Sequence, residues 1–194
     1  MTYLKVFSFL SAFALCLGIA LYLSKPADPG PVVSKPCDGD FIAGYKQWTQ
    51  VNAEPLKIPS RQAEACADLR LLRLNLDRYN PHLDKFVVVF VNEIGRAAML
   101  EQRTPKFPQG SIIVKEKLST KESSAPELLT IMKKREQGYD TDNGDWEYFV
   151  FDGAGEVMQA NGKLEKCQAC HREEKRTDFV MRDYISYDQW LKMK

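Results

Sequence analysis

Phe86-Val87-Val88-Val89-Phe90-Val91 is the stretch that sets the fold class of this chain of 194 residues. An unbroken run of β-branched and aromatic residues predicts a buried strand. Three other strand-like runs follow it, and one of them, residues 127–135, would also suit a helix. A turn signal, Asp152-Gly153-Ala154-Gly155, predicts a hairpin that returns through Val157-Met158. The other strand-like runs are residues 110–118, 127–135 and 146–151.

Four further segments have a helical pattern. Phe41, Tyr45 and Trp48 recur at helical spacing within residues 38–49, after Asp38 or Asp40 as N-cap. The mixture of helices and strands predicts an α+β domain over residues 37–194, which is long enough for one core. The other predicted helices are residues 59–72, 95–102 and 179–190.

The C-terminal part of the domain contains Cys167-Gln168-Ala169-Cys170-His171. This Cys-x-x-Cys-His pattern predicts covalent haem, because two thiols at this spacing can each form a thioether with a vinyl group. The adjoining histidine can bind iron, so Cys167 and Cys170 are the predicted attachment residues and His171 the predicted metal ligand. The alternatives are a structural zinc site and a thioredoxin-like redox pair. Zinc would require more Cys or His ligands at matching spacing, and a redox pair a motif early in a βαβ unit.

Haem attachment of this kind takes place outside the bacterial cytoplasm, and the N-terminus indicates export. Residues 6–23 are 18 uncharged, apolar residues after Lys5, about enough to cross a bilayer. We expect residues 1–24 to be a signal-anchor in the inner membrane, or otherwise a cleaved signal peptide. Residues 25–36 contain four prolines and predict an extended linker. The expected location of the domain is therefore the periplasm, most simply tethered to the inner membrane.

Cys37 and Cys66 also lie in the domain. In an oxidising compartment they are expected to form a disulfide, and the alternative is a pair of buried thiols. The net charge of +1, without a basic block, gives no support for nucleic-acid binding.

Four segments in order resemble the cytochrome P-460 family, whose structural relatives are the cytochromes c′-beta. The resemblance covers roughly residues 41–185. It implies a largely antiparallel β domain flanked by helices and a five-coordinate haem with His171 as the proximal ligand. The segments are Phe107-Pro108-Gln109-Gly110-Ser111-Ile112-Ile113-Val114-Lys115-Glu116, Gly144-Asp145-Trp146-Glu147-Tyr148-Phe149, Cys167-Gln168-Ala169-Cys170-His171 and Asp178-Phe179-Val180.

The resemblance also implies a role for Lys115, which matches the lysine that hydroxylamine-oxidising members bond to the porphyrin. From the residues alone, Lys115 and Lys117 share one face of a strand, which is typical of a solvated face. Those members place a distal carboxylate on the next strand, where the matching position is about Leu129. Glu127, two residues away, is therefore the first candidate base, and Glu116 is the second.

Two classes of function follow. One is an oxidoreductase acting on a small nitrogen species, hydroxylamine or nitric oxide. The other is a non-enzymatic cytochrome that binds a gas or carries electrons. A methionine as sixth ligand would favour electron transfer, and Met132, Met158 and Met181 are the candidates. The expected partners are the nitrogenous ligand or substrate, a redox partner protein, the inner membrane and a second copy of the chain in a homodimer.

Overall fold

The computed structural model describes residues 39–58 and 84–194, which lie within one compact unit, Pro36–Lys194. The predictions for residues 1–36, for the helix over residues 59–72 and for a bond between Cys37 and Cys66 fall outside the described residues.

Seven strands in these ranges form one antiparallel sheet, which confirms the predicted fold class. Its order is β1-β3-β4-β5-β6-β7, and β2 pairs with the same edge of β3 as β1. The strands are β1 Thr49–Gln50, β2 Leu56–Lys57, β3 Phe86–Val91, β4 Ile112–Leu118, β5 Leu128–Lys134, β6 Trp146–Asp152 and β7 Met158–Gly162.

The central strands coincide with the apolar runs of the sequence. Strand β3 has the bounds predicted from its composition, and all its residues after Phe86 are buried. Residues 128–134 are a strand and not a helix, because both neighbours supply ladder partners along the whole length of β5. Strand β4 begins two residues later than predicted, because Gly110 has a positive φ of 86° and Ser111 closes a turn onto the Pro108 carbonyl.

Each face of the sheet carries its own apolar cluster. Because strand side chains alternate, neighbours in sequence belong to different clusters. One face, here called the opposite face, carries a cluster that includes Val114, Leu129 and Phe151. The other, here called the motif face, carries a cluster that includes Val89 and Tyr148.

Three α-helices lie in the described part of the chain: α1 Glu93–Leu100, α2 Glu165–His171 and α3 Tyr187–Leu191. Asn92 caps α1, because its side chain accepts a hydrogen bond from the Gly95 N–H group at 3.1 Å. None of the helices in residues 39–58 and 84–194 has the length and apolarity needed to cross a membrane.

Two helix predictions are wrong. Residues 38–49 do not form one helix within the described part, which starts at residue 39. They form 3₁₀ turns at Gly39–Ile42 and Tyr45–Gln47, because Gly44 between them has a left-handed backbone with φ 70°. Residues 179–190 are helical only in α3, since Phe179 also has a positive φ, of 65°.

Candidate functional site

Helix α2 presents the Cys-x-x-Cys-His motif directly after the last strand of the sheet. Cys167 packs against the apolar cluster of the motif face together with Leu164. Cys167, Cys170 and His171 are all half-buried, whereas Gln168 between the cysteines is 4% exposed. The helix therefore lies on the motif face with both thiols at its margin.

Polar side chains attach α2 to the loop between β5 and β6. The Gln168 amide donates to Asp140 Oδ2 at 2.7 Å. Arg172 bonds Asn143 Oδ1 at 2.9 Å and forms a two-pronged ion pair with Glu165. The first variable residue of the motif thus has a structural task, which is to anchor the helix from its buried side.

His171 is held in one tautomer. Its Nδ1 lies 2.7 Å from the Phe179 carbonyl oxygen, and a carbonyl can only accept, so Nδ1 carries the proton. Burial lowers the pKa of His171 to about 4, the Phe179 hydrogen bond opposes that shift, and the charge of Lys115 adds to it. The imidazole is therefore neutral at ordinary pH, and the lone pair of Nε2 remains for a ligand.

The acceptor of this hydrogen bond belongs to a strained turn. Asp178 and Phe179 have consecutive positive φ angles of 55° and 65°. Aspartate tolerates this region, but for a bulky residue it is an outlier, and each such residue costs on the order of 1–3 kcal/mol. Phe107 N–H and Lys134 Nζ donate to Asp178 Oδ2 at 2.9 and 2.7 Å, and these bonds offset the strain.

A row of half-buried side chains crosses the motif face beside α2. Lys115 on β4 pairs with Thr130 on β5, Thr130 with Val150 on β6, and Val150 with Ala160 on β7. Apart from Lys115 these side chains are small and uncharged, so together they form a shallow platform. Such a row has no set of ligating side chains for a bare metal ion, whereas small uncharged side chains can lie under a flat organic group.

Tyr148 lies between the platform and the motif. Its ring centroid is 5.3 Å from that of His171, and its buried hydroxyl has no hydrogen-bond partner among the described residues. Burial, followed by the nearby Cys167, raises the pKa of Tyr148. A buried orphan hydroxyl near the Cys167 thiol and a neutral imidazole fits a site completed by a bound group.

Comparison with family models gives a match over residues 42–182, well over half of the chain, to Cytochrome P460. The chain belongs to the cytochrome P460 family. Comparison with curated proteins finds no match. Membership implies a haem cytochrome, and the residues around α2 suit such a group. Across residues 39–58 and 84–194 there is no cluster of three or more His, Cys, Asp or Glu able to hold a metal ion.

In this cytochrome P460 the structure brings Lys115 to the motif. Lys115 is on the motif face, half-buried, and close enough to His171 for its charge to lower the histidine pKa. The face of β4 that carries Lys115 is therefore not uniformly exposed to solvent. Lys117, two residues further along β4, is on the same face and also half-buried.

The two candidate carboxylates lie elsewhere. Glu116 belongs to the opposite face, where it accepts a hydrogen bond from the Tyr45 hydroxyl at 2.6 Å. Glu127 precedes β5, is exposed, and pairs with Lys85 at 2.7 Å. Thr130, the β5 partner of Lys115, is three residues beyond Glu127, about 10 Å along a strand. Leu129 is buried in the cluster of the opposite face.

The candidate methionines are also separated by the sheet. Met158 packs against the cluster of the opposite face, away from His171. Met132 is 8% exposed and belongs to the core of the motif face, one register position from the platform row. Met181 is half-buried after Val180. None of the contacts that the structure gives to these side chains directs a sulfur towards His171.

Sequence reasoning missed three residues that build this site: Asp140, Gln168 and Asp178. Asp178 stood in a segment that carried the family resemblance, so a signal for it was present in the sequence. Gln168 also stood in such a segment, between the two cysteines, but no pattern in the sequence indicated its bond to Asp140, which lies 28 positions away in a loop.

Proposed function

We propose that this member of the cytochrome P460 family is an exported monohaem cytochrome with covalently attached haem. In this proposal Cys167 and Cys170 form the two thioethers and His171 is the axial ligand. The observation that carries it is the hydrogen bond from His171 Nδ1 to the Phe179 carbonyl. His171 lies on the same short helix as both thiols. A neutral histidine with a fixed tautomer and a neighbouring thiol pair are what a ligand and its attachment residues require.

Bound haem iron supplies a position where a small nitrogen species, hydroxylamine or nitric oxide, can bind or exchange electrons. The chain's own contribution is to fix the imidazole, to exclude water with Tyr148 and the apolar cluster, and to hold the Lys115 side chain on the motif face near His171. Lys115 is the residue that we propose to bond the porphyrin.

The attachment is tested with protein produced alongside haem-maturation machinery. Wild type is expected to carry one haem that survives denaturation, Cys170→Ser is expected to retain at most one thioether, and His171→Ala is expected to lose the native absorption spectrum. Cys16→Ser, a thiol in the N-terminal apolar segment, is the matched control and should retain full attachment. Stoichiometric zinc in place of iron in the wild type would reject the proposal.

The lysine bond has a matched control two residues away. Peptide mass spectrometry of wild type is expected to show the Lys115 peptide joined to the haem peptide. Lys115→Arg should separate the two peptides and give an ordinary high-spin c-type Soret band, whereas Lys117→Arg should leave the cross-link intact. Clean separation of the peptides in wild type would mean that Lys115 acts through its charge alone.

One observation favours the second class of function, a gas-binding cytochrome without turnover. Glu116 lies on the opposite face, and Glu127 is paired with Lys85 beyond the end of the platform. No other acidic residue lies on the motif-face positions of β5, which are Leu128, Thr130, Met132 and Lys134. A general base contributes about 10²–10⁴-fold to the rate of a reaction. Because neither candidate carboxylate lies beside Lys115, we expect hydroxylamine oxidation to be slow.

Hydroxylamine oxidation and nitric oxide binding separate the two classes. If Glu127 is the base, Glu127→Gln should reduce turnover by about 10²–10⁴-fold with an unchanged resting spectrum. Glu156→Gln, an exposed glutamate in the turn between β6 and β7, is the control and should leave turnover unchanged. Tight nitric oxide binding by a wild type without turnover would establish the gas-binding function.

A further inference from the structure

We propose that Asp178 is the positioning residue of the iron ligand. It fixes the carbonyl group of Phe179, and through that carbonyl it sets the orientation and the electron donation of His171. The inference deepens the proposed function and rests on it, because it takes His171 as the axial ligand.

Asp178 is anchored from two separate elements. Its carboxylate oxygen Oδ2 accepts from the Phe107 N–H group at 2.9 Å and from Lys134 Nζ at 2.7 Å. Phe107 lies in the segment before β4, and Lys134 is the last residue of β5. Asp178 is 4% exposed, so both bonds are shielded from water. The carboxylate is therefore tied both to the end of β5 and to the segment before β4.

The backbone of the same turn has further anchors. The Trp146 indole N–H donates to the Asp178 carbonyl at 2.7 Å, and the Phe179 N–H group donates to the Glu174 carbonyl at 2.8 Å. The Phe179 ring lies so close to Gly144 that a Cβ atom there would collide with it. With the peptide fixed on both sides, the Phe179 carbonyl has little freedom to turn away from His171 Nδ1.

A carbonyl held in this way keeps the Nδ1 proton partly withdrawn from the ring, which makes Nε2 a stronger donor to a metal. Hydrogen bonding behind an axial ligand is one of the means by which a protein sets the potential of haem. Loss of the anchor should let the carbonyl rotate and weaken the bond. The expected signs are a lower frequency of the iron–histidine stretch and a higher reduction potential.

The test uses the holoprotein and three variants of the anchor. Asp178→Ala removes the acceptor, Asp178→Asn keeps its size without its charge, and Lys134→Met removes the charged donor to Asp178 Oδ2. Resonance Raman spectra of the ferrous protein report the iron–histidine stretch, and redox titration reports the potential. All three should shift both readouts in the stated direction, with Asp178→Asn less affected than Asp178→Ala.

Two further variants separate positioning from a general loss of stability. Glu147 is another carboxylate in a partly buried ion pair, and it accepts a hydrogen bond from Arg135 at 2.6 Å. This bond does not involve the turn around Phe179. Glu147→Gln should therefore lower stability without a shift in either readout. Lys134→Arg should restore wild-type values. If Asp178→Ala does not fold, Asp178→Asn and Lys134→Met decide the result.

An unchanged stretch and potential in variants that are destabilised but loaded with haem would overturn the role of Asp178 while leaving the proposed function intact. A wild-type spectrum in His171→Ala would instead overturn the assignment of the ligand, which is a different failure.

Discussion

Lys115 and Glu116 are neighbours in sequence and belong to different environments. Side chains alternate along a strand, so the lysine lies beside His171 and the glutamate under the Tyr45 hydroxyl. Glu116 is 7% exposed and also has Lys46 Nζ at 3.7 Å. Its contacts are those of a residue that stabilises the opposite face.

Glu116→Ala is expected to lower the free energy of unfolding by about 1–3 kcal/mol, because it leaves the Tyr45 hydroxyl buried without an acceptor. The absorption spectrum of the holoprotein should not change. Urea denaturation gives the first quantity, and the exposed Glu156→Ala, expected within about 0.5 kcal/mol of wild type, is the control. A changed spectrum with unchanged stability would place Glu116 in the haem site after all.

For single residues, the sequence predicts the chemical role of a side chain better than it predicts the groups around it. Cys167, Cys170 and His171 are recognisable because their spacing reflects covalent chemistry. The surroundings of Lys115 could not be predicted, because the alternation of side chains shows which residues share a face but not what packs on that face. The contacts of Asp178 were equally hidden, because Lys134 is 44 positions away and no local pattern links them.

The turn between β5 and β6 packs against the turn after α2. Gly144 has a left-handed φ of 69°, and the space beside its Cα is filled by the Phe179 ring. Glycine is thus required at this position for two separate reasons, which are the positive φ angle and the close contact with the Phe179 ring.

Gly144→Ala should destabilise the protein more than Gly138→Ala. Gly138 also has a positive φ, of 95°, but nothing lies within 4 Å of where its Cβ would be. The Gly138 variant should therefore show only the cost of the left-handed backbone, about 1–2 kcal/mol. The Gly144 variant should show a larger loss by urea denaturation and a shift of the Soret band through Phe179. Equal losses in the two variants would mean that the ring moves aside freely.

Asn92 joins helix α1 to strand β4. Its Oδ1 atom accepts from Gly95 and Ile112, and its amide donates to the Gly110 carbonyl at 2.9 Å. Asn92→Ala should cost about 1–2 kcal/mol or more, because both the cap and the buried link are lost. Asn92→Asp keeps the acceptor and should cost less. Midpoints in urea give the order, and equal midpoints for the two variants would contradict it.

The helices were the less predictable elements. The spacing of Phe41 and Tyr45 suits a helix, but Gly44 interrupts it, and the aromatic rings instead contact the sheet, Phe41 meeting Phe149 at 4.8 Å between ring centroids. The strands were more predictable because an apolar run that is buried on both faces leaves few alternatives. Strand β3 is the clearest example, with Val89 and Val91 fully buried.

For the whole molecule, each face of the sheet has its own buried core, and the motif residues lie only on the motif face. The cluster of the opposite face contains fully buried Val114, Leu129 and Phe151, and none of the motif residues belongs to it. About 25 cal/mol is gained for each Å² of apolar surface buried, whether or not haem is present.

The chain without haem is therefore expected to fold. Cys167→Ala/Cys170→Ala should retain the far-ultraviolet circular dichroism of a β protein and a cooperative thermal transition, at a lower midpoint than the holoprotein. Val114→Ala in the same background is the control, since it should lower the midpoint further by removing core volume, at a cost of about 2–4 kcal/mol. A haem-free chain without a cooperative transition would show that the motif face is needed for folding.

The order of the elements along the chain bears on how the protein is made. All seven described strands precede Cys167 in sequence, and the motif helix adds no strand to the sheet. The hydrogen-bonded ladder therefore needs no residue of the motif, so formation of the sheet and attachment of haem are separable events. Attachment can then take place on a chain whose sheet has already formed, as a late step in biogenesis.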